Sequence, residues 1–64
     1  MKNYIVKIID KSGIEWVYEG KVNGECIFTK RDDAVPSYVS MAEAQYIAEE
    51  NVTKGEKYLI EKAI

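Results

Sequence analysis

Carboxylates stand side by side at two places in this chain, Asp32-Asp33 and Glu49-Glu50, and a single thiol, Cys26, and no histidine accompany them. Paired carboxylates can hold a divalent cation or split general acid and base roles. Both uses need more than a pair. A cation loop needs several oxygen ligands at fixed spacing with a turn glycine, and "RDDAVPS" has no such pattern. A glycosidase-like pair needs a substrate cleft, which a chain of 64 residues has little room to build. Without histidine, the usual structural zinc sites and the Ser-His-Asp and Cys-His arrangements are excluded. Cys26 reads as a small buried hydrophobe on a strand. Gly13, Gly20, Gly24 and Gly55 are isolated from one another, so no phosphate-cradling loop is present. The chain predicts no catalytic residue, no cofactor and no metal.

The elements that would position these residues begin with "NYIVKIID", rich in β-branched and aromatic residues, which ends at the turn "KSG". "EWVYE" follows as a second strand that stops at Gly20, and Asn23-Gly24 marks a hairpin into a third strand, "ECIFT". Thr29 and Asp32 have capping-box spacing, so one helical turn is predicted there, ended by Pro36. Ser40 as N-cap, Glu43 at N3 and the staple pair Val39 and Ala44 open the main helix, which runs to about Asn51 and stops near Gly55. Met41, Ala44, Ile47, Ala48 and Val52 share its apolar face. "EKYLIEKAI" alternates as a last strand. Residues 1–64 therefore predict one small α+β domain of order β-β-β-α-β: a three-stranded antiparallel meander, one helix packed on one sheet face, and a last strand parallel to the first.

Sorting the strands by their period of two puts Tyr4, Val6, Ile8, Trp16, Tyr18, Cys26, Phe28, Tyr58 and Ile60 on one face, with no charge among them. That face belongs under the helix. The opposite face mixes lysine and glutamate with Ile5, Ile9, Val17, Ile27 and Leu59, and no second layer in the chain is available to cover them. These five residues are the candidate partner-binding patch. Tyr46 joins them as a candidate because it falls on the outer helix face among Glu43, Glu49 and Glu50.

Nine basic and eleven acidic residues leave a net charge of -2 with the signs interspersed, and the one basic pair, Lys30-Arg31, runs straight into Asp32-Asp33. Nucleic acid is a poor partner for such a surface. No apolar run spans a membrane, the start "MKNYIVKIID" is too soon charged for a secretory signal, and a lone cysteine fits a reducing compartment, so the expected location is cytoplasmic.

The segment "FTKRDDAVPSYVSMAEAQYIAEEN" with "KYLIEK" resembles short uncharacterised proteins of Gram-positive bacteria and their phages, through Ala34, Ser40, Glu43, Ala44 and the closing strand. The resemblance implies an accessory or regulatory protein that acts by binding, and no site residue is carried over by it. The sequence thus points to a non-enzymatic protein-binding module that meets a protein partner or a second copy of itself as a homodimer, with a small nucleic-acid-binding regulator as the alternative.

Overall fold

The computed structural model describes residues 2–63; Met1, and Ile64 at the end of the predicted last strand, lie outside the described residues. Four strands, β1 (Tyr4–Ile9), β2 (Glu15–Val22), β3 (Glu25–Lys30) and β4 (Lys57–Lys62), form one sheet in the order β3-β2-β1-β4. One helix, α1 (Met41–Asn51), packs on it. The small α+β fold of order β-β-β-α-β is as the sequence predicts.

The direction of β4 is not. It pairs with β1 antiparallel along six residue pairs, from Tyr4 opposite Lys62 to Ile9 opposite Lys57. A parallel strand was predicted on the assumption that the helix alone carries the chain back along the sheet. Here two passes are made. After β3 and a single 3-10 turn, Arg31–Asp33, the extended segment 34–39 runs back along the strands; α1 then returns, and β4 starts at the end of the sheet where β1 finishes. Thr29 does not cap the 3-10 turn either, because its hydroxyl donates to Glu19 Oε1 at 2.9 Å.

The returning segment enters the sheet itself. Ser37 N–H donates to the Tyr18 carbonyl at 3.0 Å, while Val39 and Tyr4 exchange two backbone bonds of 2.9 Å. β1 and β2 are paired only from Lys7–Val17 to Ile9–Glu15, so their other halves part and residues 37–39 fill the gap. A bulge between Tyr18 and Gly20 bends β2 at this point. Gly20, predicted as a strand stop, instead lies inside β2 at φ +126°, a conformation that only glycine adopts readily. Beyond the bulge β2 and β3 continue as a two-stranded arm to a turn at Asn23 (φ 52°) and Gly24 (φ 81°), both positive as a type I′ turn requires.

The core lies on the face predicted for it. Val6, Tyr18, Val39, Ala44, Ile47 and Ala48 are buried together, with Tyr4, Cys26, Phe28 and Ile60 packed against them. Ser40 caps α1 by accepting from Glu43 N–H at 3.2 Å, and the staple residues Val39 and Ala44 are both in the core. Met41, predicted on the apolar face, is exposed.

Candidate functional site

The wedged segment decides where α1 lies. Val39 is pinned to Tyr4 on β1, so the helix that starts two residues later lies over β1 and β4, and Ala44 and Ala48 let it approach closely. The arm formed by β2 and β3 is left half uncovered. Between it and α1 runs a groove of about 540 Å³, lined by Lys21, Gly24, Glu25 and Cys26 on the arm and by Tyr46, Ile47, Glu50 and Asn51 on the helix. Tyr46 stands at its rim, 63% exposed.

Three carboxylates, Glu43, Glu49 and Glu50, make α1 an acidic helix without one basic side chain. Glu25 faces Glu50 across the groove, and Lys21 is the one cation lining it among the described residues. Beneath, Tyr18 and Phe28 pack with ring centroids 5.7 Å apart. Burial raises the Tyr18 phenol above its ordinary value, and the neighbouring Cys26 and Glu43 add to the rise. The phenol is therefore neutral at physiological pH.

The outer face, predicted to carry an apolar patch, is organised differently. Val17 stands opposite Lys7 on one side and Thr29 on the other, Ile5 opposite Glu61, Ile9 opposite Glu15 and Lys57, Leu59 opposite Lys7, and Ile27 opposite Gly20. No two of the five candidates face each other directly. At the centre Lys7, its side chain only 13% exposed, reaches Glu61 at 3.0 Å and Glu15 at 3.4 Å. Glu15 Oε1 is shielded from water, accepts no hydrogen bond, and depends on that longer contact with the Lys7 ammonium.

Val17 itself is withdrawn from the surface, being 2% exposed. The expectation that nothing covers this face is corrected by the segment after β3, which touches the two outward residues of β2 that flank Val17. Arg31 reaches Glu15 at 3.9 Å, and Val35 N–H donates to Glu19 Oε2 at 2.6 Å, so this segment runs beside Val17. Ile5 and Ile9 are half-buried, and Ile27 and Leu59 are 37% and 41% exposed. Across the ladders each of them faces a charged, polar or glycine residue, and their apolar neighbours lie on the diagonals.

The single basic pair is engaged within the fold, with Lys30 Nζ 5.9 Å from the Trp16 ring centroid and Arg31 at Glu15. Asp32 and Asp33 are exposed on the 3-10 turn, and no group of three potential ligands among the described residues could hold a metal ion. No helix among them is long and apolar enough to cross a membrane. The groove-lining Lys21, Glu25, Cys26 and Asn51 escaped the sequence reading, because their meeting depends on where α1 lies. Compared with protein families, curated proteins and solved structures, the chain finds no match.

Proposed function

We propose that this chain is a small non-enzymatic protein-binding module whose contact surface is the groove between α1 and the β2–β3 arm, and that it serves as an accessory protein acting by binding. The observation that carries this reading is Tyr46, the most exposed aromatic side chain, at the rim of the groove. An exposed tyrosine that is not needed in a core this small offers a rigid contact platform at low entropic cost. The carboxylates of Glu25 and Glu50 beside it favour a lysine- or arginine-bearing protein segment, whose cation can also lie over the Tyr46 ring.

The test is a nuclear magnetic resonance titration with arginine- and lysine-rich peptides. Amide shifts should cluster on Cys26, Tyr46, Glu50 and Asn51, weaken as salt rises, and disappear in Tyr46→Ala. Shifts spread over the outer face, or none at millimolar peptide, would refute the groove.

A further inference from the structure

β4 is an edge strand, and the pattern of backbone bonds shows which of its groups are free. Tyr4 directs its N–H and C=O to Val39, away from β4, while the Asn3 carbonyl accepts from Ala63 N–H at 2.7 Å. In an antiparallel ladder this direction alternates, so Ile5, Lys7 and Ile9 bond β4 through Glu61, Leu59 and Lys57. The N–H and C=O groups of Tyr58, Ile60 and Lys62 therefore point outward from the sheet, with no strand beyond them among the described residues.

From this edge we propose that a second copy of the chain adds to the sheet, β4 against β4, antiparallel and centred on Leu59. The strand matches its own reverse in that register. In "EKYLIEK", Glu56–Lys62, Leu59 falls opposite the other copy's Leu59, Tyr58 opposite Ile60, Lys57 opposite Glu61, and Glu56 opposite Lys62. Every residue meets a like apolar residue or an opposite charge, and the outward groups of Tyr58 and Ile60 face one another as a hydrogen-bonded pair.

Neighbouring registers fail on the same criterion. Centring on Ile60 sets Leu59 against Glu61 and Tyr58 against Lys62, and centring on Tyr58 sets Lys57 against Leu59 and Glu56 against Ile60. β3, the other edge, has no comparable match: centred on Ile27 it opposes Glu25 to Thr29. Two further facts favour β4. Neither Lys57 nor Lys62 makes an ion pair among the described residues, so both cations are available. A dyad normal to the sheet also keeps both helices on one face, and since α1 lies over β1 and β4, the two axes come to roughly 10 Å, an ordinary helix packing distance.

This surface is separate from the groove. Light scattering across a concentration series should show the mass rising from one chain to two. Lys57→Glu, which opposes two glutamates at each end of the register, should raise the dimer dissociation constant about tenfold with unchanged circular dichroism. In a Cys26→Ser background, Leu59→Cys treated with oxidised glutathione should give a disulfide dimer, because the dyad brings the two Cα atoms to about 4.5 Å. Lys57→Cys in the same background should not. A wild-type chain monomeric at millimolar concentration overturns the proposal. So does a dimer that ignores Lys57→Glu and is not cross-linked at position 59. Neither result touches the peptide titration at Tyr46, so the two readings fail independently.

Discussion

The two ends of β2 have much the same alternating sequence and opposite fates. At Trp16 and Val17 the strand has β1 on one side and β3 on the other, at Tyr18 the segment 37–39 takes the place of β1, and Val17 and Tyr18 are buried. From Lys21 to Val22 it has β3 alone, and both residues are exposed. The turn preceding β2 is tied by side chains: the Asp10 carboxylate accepts from Ser12 N–H, Ile14 N–H and Trp16 Nε1–H at 2.9–3.0 Å. The turn after it is held by the positive φ angles of Asn23 and Gly24. The change comes at Glu19 and Gly20, where the bulge turns the strand out and the Glu19 carboxylate ties down the returning segment. Alternation alone therefore does not say whether a residue is covered. What lies beside the strand decides it.

Val17→Lys tests this contrast most severely. An unpaired ammonium in a position 2% exposed is expected to destabilise by about 3–5 kcal/mol. A domain of 64 residues has roughly 3–10 kcal/mol in total, so urea melts should show the variant largely or wholly unfolded. Val22→Lys, five residues along the same strand, should move the midpoint by less than about 0.5 kcal/mol. Equal effects would erase the distinction.

Gly20→Ala comes next. A Cβ there meets nothing within 4 Å, so the loss is backbone strain alone, about 1–3 kcal/mol. Glu19→Ala should lose about 1–2 kcal/mol, and hydrogen exchange at Val35 and Ser37 should quicken while Trp16 keeps its fluorescence.

The smallest effect is confined to acid. Its bond from Trp16 first, and those from Ile14 and Ser12, hold the Asp10 carboxyl below its ordinary value of 3.8. Because the folded value is the lower one, this contribution is complete above pH 3.8 and fades as pH falls through the folded value. Urea midpoints followed by Trp16 fluorescence should fall between pH 4 and pH 2 more in the wild type than in Asp10→Asn. Parallel profiles would show that the turn is not held by this charge.

Much of the fold was legible because local rules were obeyed. Period two separated Val6, Ile8, Tyr18, Cys26, Phe28 and Ile60 from the charged face, and Ser40 marked the helix start by the chemistry of an N-cap. The sense of β4 was not legible. It depends on whether residues 34–39 count as a loop or as a pass across the sheet, and nothing local in "AVPSYV" says which. Val17 was read as exposed for the same reason, since its cover comes from a segment distant in sequence. Gly20 signalled a break correctly, but one glycine can end a strand or bend it. Of the sites, Tyr46 was visible as an exception to its neighbours, whereas the groove beside it needed the helix position.

The wedged segment also has a consequence for time. Both β-hairpins are local and can close in microseconds, but the gap between β1 and β2 stays open until Val39 reaches Tyr4, closing a loop of about 35 residues. Until then the free half of β1 has no partner on that side, and α1 has no anchor at its start. The contact that closes this gap is thus also the one that sets the helix, and with it the groove, in place.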